Sequence, residues 1–416
     1  MKTRHLNNFK VSILIFCALI LSYSFICMTK NCFSAAMVFI VDEGYMTKFE
    51  TGAISAVFYL VYAALQIVGG VVTDRWHPEK LIVIGLFGAG IANLLIYFFY
   101  KYYVAVLIIW ALNAAVQFGV WPATFKLITT FLHHKINMVG IAVATFANPF
   151  GVMAGYLVAA IVPRWQENFL ISGIGLFILS ALIYFAFKGI EPLVEQRDTV
   201  EVEYPKDEGE RRGFLSLVLS SGLIFLMIVT FVRTMFDNGL KSLMPSMINE
   251  NYEGLSPNFS TVLSVVVLVA GVLGPIVAQA TYPRLFKNEV LACSVFLGCA
   301  VPFTVALIFI GEISYFAILI CASAIVLFTS GAGLFTTSYI AARFNRWGKG
   351  ATVAGLLNCL ASLGIVATNL VFTALADGIG WRSTAVVWVV LISLVFLLSL
   401  ITVPLWQKFR KNNHIQ

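Results

Sequence analysis

The chain has 416 residues, 60% of them hydrophobic and only 11% charged, with a net charge of +7. So little charge cannot cover the surface of a water-soluble protein of this size. A soluble enzyme is thereby excluded, and the basic excess is expected to serve membrane topology rather than nucleic-acid binding.

Apolar runs of roughly 20 residues recur along the whole length, each enough to cross about 30 Å of hydrocarbon as a helix. They predict spans at 11–41, 51–72, 81–99, 103–132, 138–162, 168–187, 214–248, 259–281, 289–310, 313–340, 350–376 and 383–405. The fold expected is an all-α membrane protein with twelve transmembrane helices. The first run follows a basic stretch but lacks a small-residue cleavage site, so it reads as a span and not as a signal peptide.

Span 1 carries Lys30 well along its length. An ionisable group at membrane depth costs several kcal/mol unless it is paired or wet, so it is a functional-site candidate. Snorkelling to the interface is the bland alternative, and a long reach from that position. After span 2 comes GGVVTDRWHPEK, Gly69 to Lys80. Gly70 allows close helix approach, and Asp74 suits a helix cap or a charge pair that latches one conformation, with Arg75 and Lys80 beside it. Span 4 offers Asn113, Gln117, the Trp121-Pro122 bend and Lys126; span 5 offers Asn148. Lys126 lies late in span 4, where snorkelling competes with solute contact or gating. Each amide is first an interhelical hydrogen-bond candidate and second a ligand.

The longest polar stretch, 188–213, reads as a cytoplasmic linker. It divides an N-terminal six-helix half (1–187) from a C-terminal one (214–416). Span 7 then carries Arg233, Asp237 and Lys241 at four-residue spacing, a ladder on one helix face. Asp237 is the one carboxylate well inside a span. Two readings stand: it neutralises its neighbours on the same helix, or it faces Lys30 across a central cavity.

The second half repeats the first at an offset of about 207 residues. Lys30 falls on Asp237, Met37 on Met244, Glu43 on Glu250 and Tyr45 on Tyr252. HPEKLIVIGLFG and KNEVLACSVFLG, then GIAVATFAN and GATVAGLLN, align further on. Ionisable groups placed opposite each other by such a repeat are the pattern of a secondary transporter.

Of the 27 basic residues, nineteen fall in the termini and even-numbered connections. Four (Lys48, Lys101, Arg164, Arg382) fall on the other side, and four (Lys30, Lys126, Arg233, Lys241) lie within spans. Positive residues stay inside, so both termini are expected in the cytoplasm. The seven Cys lie in apolar segments and the five His in loops or tails, so no metal, disulfide or cofactor is expected. GVMAG (Gly151 to Gly155) and SGAGL (Ser330 to Leu334) read as close-packing faces, and no phosphate-loop pattern supplies an ATP motor.

The DRWHPEK loop after span 2 resembles the signature loop of the major facilitator superfamily. Within it, KNCFSAAMVFIVDEGY, DRWHPEKLIVIGLF and QFGVWPATFKLITTF are similar to the organophosphate:phosphate antiporters. That resemblance implies two pseudo-symmetric six-helix bundles and a site gripped by one arginine in span 1 and one in span 7. Lys30 falls at the first position and keeps the charge without the planar fork. Asp237 falls at the second and reverses the charge, and the resemblance places Asn148 near a histidine of that family.

The function expected is secondary transport of a small polar solute across a bacterial cytoplasmic membrane. The solute would be an organic anion such as a sugar phosphate or sugar acid. Lys30, Arg233, Lys241, Lys126, Gln117 and Asn148 are the contact candidates, and Asp237 is the coupling residue, as a proton site or as a counter-charge. Proton or phosphate is the expected coupling ion, lipid the surrounding partner and a monomer the expected state. Symport or facilitated movement of an uncharged sugar or other metabolite is the alternative. A transporter-like receptor and a membrane enzyme are the other classes.

Overall fold

The structure is a computed structural model that describes residues 3–6, 9–128, 134–190, 194–197, 214–252, 254–310, 314–344 and 350–413. Its first seven helices are α1 (Phe9–Asp42), α2 (Lys48–Arg75), α3 (Pro78–Phe99), α4 (Tyr103–Gln117), α5 (Val120–Lys126), α6 (His134–Ile161) and α7 (Glu167–Ile190). Then come α8 (Phe214–Ser221), α9 (Leu223–Asn251), α10 (Pro257–Leu285), α11 (Glu289–Ile310) and α12 (Tyr315–Leu334). Last are α13 (Ile340–Arg343), α14 (Gly350–Ala367) and α15 (Thr373–Asn412). Single π-helical turns at Phe335–Tyr339 and Thr368–Phe372 join α12 to α13 and α14 to α15. Among the described residues, nine stretches are long and apolar enough to cross a membrane, and the helices stand where the twelve spans were expected.

One short element departs from the all-helical expectation. Strand β1 (Thr3–Leu6) pairs antiparallel with β2 (Val194–Arg197), setting Thr3 opposite Arg197. β2 lies in the expected linker, of which 191–193 and 198–213 lie outside the described residues.

Local chemistry sets the helix ends. Thr47 and Glu50 form a reciprocal capping box at the start of α2, and Ser256 and Ser314 cap α10 and α12. Pro78 and Pro257 occupy first-turn positions, where no amide is needed. Pro122 cannot donate to the carbonyl of Phe118, four residues back, and span 4 opens there into α4 and α5. Span 7 is likewise broken, into α8 and α9, at Gly222. Gly380, at φ 74°, turns the chain inside α15 between the last two spans, in a backbone region that glycine enters freely.

Each helix sorts its faces for two solvents. On α3, Ile84, Phe87, Ile91, Leu95 and Phe98 are exposed, a stripe at helical spacing suited to lipid. Leu86, Ala89, Asn93 and Ile96 on the same helix are buried.

The chain divides into two compact units, Met1–Glu203 and Tyr204–Gln416. In the first, α1 packs on α6 and α7, α2 on α4, and α3 on α4 and α7. In the second, α9 packs on α14 and α15, α10 on α12, and α11 on α12 and α15. These are the same pairings at corresponding places. Side chains repeat as well: the Trp165 indole donates to Glu43 Oε1 at 2.9 Å, and the Trp381 indole to Glu250 Oε2 at 2.8 Å. Tyr45 meets Tyr100 edge-on, as Tyr252 meets Tyr315.

A buried carboxylate knots one end of the second unit. Glu289, in the first turn of α11, takes Nε and Nη2 of Arg343 at 2.6 Å each on Oε1. Its Oε2 takes Nη1 of Arg410 at 3.2 Å and the Trp406 indole at 3.1 Å. α11, α13 and α15 are thereby tied together.

Candidate functional site: a charged ladder on α9 and Lys30 on α1

The four-residue spacing of Arg233, Asp237 and Lys241 puts all three on one face of α9, and that face packs on α10 and α12. Lys241 Nζ donates to Asp237 Oδ2 at 2.6 Å and to Ser330 Oγ at 2.8 Å. Ser330 Oγ in turn donates to Asp237 Oδ1 at 2.7 Å, closing a ring of three polar groups. The Thr329 hydroxyl lies 3.0 Å from Asp237 Oδ1 and 2.9 Å from the Ile325 carbonyl. Gly271 on α10 makes room for Lys241: a Cβ there would sit 2.7 Å from its Cε.

Only the Lys241 rung of the expected ladder forms an ion pair. Arg233 turns to α12, donating through Nη1 to the Thr329 carbonyl at 3.2 Å and through Nη2 to Thr234 Oγ1 at 2.8 Å. Its Nε is buried with no hydrogen-bond partner, and Gly333 lies flat against the guanidinium. Arg233 is 6% exposed, whereas the side chains of Lys241 and Asp237 are 25% and 12% exposed. Of the two cations, then, Lys241 is the more exposed.

In the first unit Lys30 is half-buried on α1, its Nζ 5.8 Å from the centre of the Tyr62 ring. Its ionisable neighbours are Cys27, Tyr62 and Tyr59, and among the described residues of that unit no carboxylate pairs with it. Tyr59 donates to Asn31 Oδ1 at 3.4 Å, and Asn31 Nδ2 to the Cys27 carbonyl at 2.8 Å. Lys30 is thus a cation among hydroxyls, a thiol and an aromatic face, surroundings that favour a positive charge. Lys30 and Asp237 belong to different units, and within its own unit Asp237 is already engaged by Lys241, Ser330 and Thr329.

The remaining candidates scatter. Gln117 is buried and donates to Asn113 Oδ1 at 2.6 Å, an amide pair along one helix. Lys126 Nζ donates to the Thr73 carbonyl at 2.7 Å, neutralising the negative end of α2. Asn148 is half-buried, and its side chain has no hydrogen bond to a described residue. Lys80 is exposed at the start of α3, while the surroundings of Gly70 and the side chains of Asp74 and Arg75 lie outside what the structure describes. At the neighbouring Gly69 a Cβ would sit 2.8 Å from the Phe118 carbonyl at the span 4 break.

Nothing in the sequence singles out Thr329, Tyr59 and Tyr62, and Ser330 reads there only as the start of a close-packing face. Serine and threonine are so common in membrane helices that spacing alone does not single them out; only contact with Asp237 does.

Comparisons with known proteins agree with this architecture. Over 111 residues, 27% of its length, the chain is 32% identical to the membrane sensor protein UhpC of Salmonella typhimurium. Over 116 residues, 28% of its length, it is 29% identical to the "Probable hexose phosphate transport protein" of Chlamydia trachomatis. Each alignment spans a quarter (25%) of the relative. Among solved structures, an inward-facing, unoccupied bacterial homolog of the human lysosomal transporter Spinster shares the fold. The TM-score is 0.77 at 14% identity, covering 97% of this chain and 99% of that one. The duplicated helix pairings therefore have a family behind them: residues 19–367 match its sequence pattern, and the chain belongs to the Major Facilitator Superfamily.

Proposed function

We propose that the protein is a secondary transporter that moves a small organic anion, such as a sugar phosphate or sugar acid, across a bacterial cytoplasmic membrane by alternating access. The observation that carries this reading is Lys30. A cation in a span costs about 2.5–3.5 kcal/mol, and Lys30 has no carboxylate partner among the described residues of its unit, which supports a use other than stability. Lys241 is the second contact candidate, and Arg233 and Lys126 add positive potential. Asp237 serves as the coupling residue in the sense of a counter-charge: it occupies Lys241 until a solute anion competes for it. Three donors converge on its carboxylate, the arrangement of a resident anion rather than of a proton carrier. The basic residues counted by side favour both termini inside.

The test is uptake by purified protein in liposomes. A panel of sugar phosphates and sugar acids is first screened for a rise in melting temperature, which binding produces by mass action. Lys30→Gln removes a charged hydrogen-bond donor worth about 1.5–3 kcal/mol, so affinity for the active anion should fall roughly tenfold or more. Wild-type uptake by that variant would remove Lys30 from the site. A second reading, a receptor that binds without flux, draws on the similarity to a sensor protein. Binding without uptake in the same liposomes would decide for it.

A further inference from the structure

We propose that Asp237 is a charge filter, tuning the second-unit site toward anions whose headgroup carries a single negative charge and against dianionic phosphate monoesters. The proposal rests on the anion reading above and names the class of headgroup. Its physical basis is local to one unit. The more exposed ammonium, Lys241, has a fixed carboxylate 2.6 Å away, and Ser330 holds both in place. The other cation of the ladder, Arg233, is 6% exposed and spends its Nη atoms on the Thr329 carbonyl and the Thr234 hydroxyl. It contributes field but offers no direct grip.

A headgroup that reaches Lys241 therefore meets the Asp237 carboxylate in the same contact sphere. The repulsion by Asp237 and the attraction by Lys241 both scale with the headgroup's charge, so the second charge of a dianion gains nothing from the pair while it must still give up its own, stronger hydration. A carboxylate, a sulfonate or a sulfate ester approaches with one charge; a phosphate monoester at neutral pH approaches with nearly two. Selectivity then comes from a built-in repulsive element rather than from an added contact. The groups around Asp237 fit this role: Lys241 and Arg233 on its own helix, the Thr329 and Ser330 hydroxyls on α12, and Gly271 on α10, which leaves space at Lys241.

Two pairs of probes isolate charge from shape: glucose 6-phosphate against glucose 6-sulfate, and glycerol 3-phosphate against glycerol 3-sulfate. Binding to the purified full chain is measured by thermal shift and confirmed by uptake into liposomes. At pH 7.5 the sulfate ester of at least one pair should bind about tenfold or more tightly than its phosphate. On lowering the pH to 5 the phosphate monoester becomes largely monoanionic, its second ionisation lying near 6. Its affinity should then rise about thirtyfold while that of the sulfate ester holds level. Asp237→Asn should raise the phosphate-to-sulfate affinity ratio at pH 7.5 about tenfold or more. The double variant Asp237→Asn/Lys241→Gln, which restores the local charge balance, should return the ratio toward wild type.

Tighter phosphate binding by the wild type at pH 7.5, or an unchanged ratio in Asp237→Asn, overturns the filter and leaves anion transport standing. No binding of any of the four anions at either pH overturns the anion reading itself. The pH comparison on the wild type decides the matter even if the variants do not fold.

Discussion

A carboxylate shut away from solvent keeps its charge only if its neighbours supply what water would. Glu289 does this at one end of the second unit: its side chain is 0% exposed, and four donors from Arg343, Arg410 and Trp406 fill its oxygens. Removing one partner from such a group costs more than the group contributes, because the charges left behind stay buried. Glu289→Gln leaves two guanidinium groups facing a neutral amide and should lower stability by about 3 kcal/mol. The readout is the thermal unfolding midpoint in detergent. Arg343→Gln in the same chain should recover part of the loss, since the two residues share one network and their effects cannot add. Simple additivity would mean that the network is not cooperative. Asp237 obeys the same rule by different means, with hydroxyls on α12 and one ammonium where Glu289 has two guanidiniums.

At the scale of the element, the glycines decide how near two helices come. Gly151 on α6 lies where a Cβ would be 2.1 Å from the Ser24 carbonyl and 2.8 Å from Cys27 Cβ on α1. Four residues on, at Gly155, a Cβ would be 3.0 Å from the Met28 carbonyl. In the second unit Gly364 on α14 stands against α9 in the same way, 2.4 Å from the Phe231 carbonyl. Gly151→Ala must push α1 away from α6, at a cost of roughly 1–3 kcal/mol for overpacking. Lys30 rides on α1 less than two turns beyond that contact, so its place shifts too. Unfolding midpoint and anion affinity should therefore fall together. Gly355→Ala is the control. Nothing lies within 4 Å of a Cβ at that position on α14, so alanine meets no obstacle and gains up to about 1 kcal/mol of helix propensity. Its midpoint should hold or rise, and a matching fall in both variants would refute the packing argument.

For the whole molecule, membrane helices were legible because hydrocarbon imposes one requirement on every stretch that crosses it, and composition records that requirement directly. The helix breaks were less legible: Gly222 and Gly380 sit in apolar surroundings that read as continuous span or short loop. The repeat was legible at Glu43 and Glu250 but not at their partners. Trp165 and Trp381 stand at a different offset, because the loops between the paired helices differ in length. In the site, the ionic residues on α9 were legible by charge alone. Their pairing was not: whether Asp237 takes Arg233 or Lys241 depends on where α12 places Ser330 and Thr329, and that is a tertiary fact. For Gln117 and Lys126 the sequence left a structural and a ligand role open, and the structure pairs them with Asn113 on the same helix and with the Thr73 carbonyl on α2. The orientation proposed for the membrane rests on a property of the whole chain, the uneven placing of its basic side chains. The excess on the even-numbered connections is large, and short loops respond to Lys and Arg rather than to net charge. A chain truncated after Tyr102 contains three spans, and one truncated after Gly189 contains six. Alkaline phosphatase, which matures only outside the cytoplasm, should be active when fused at the first point and inactive at the second. A green fluorescent reporter should give the opposite pattern. The reverse result would turn the molecule over and put its basic connections outside, leaving the positive charge without the anionic inner leaflet that accounts for it.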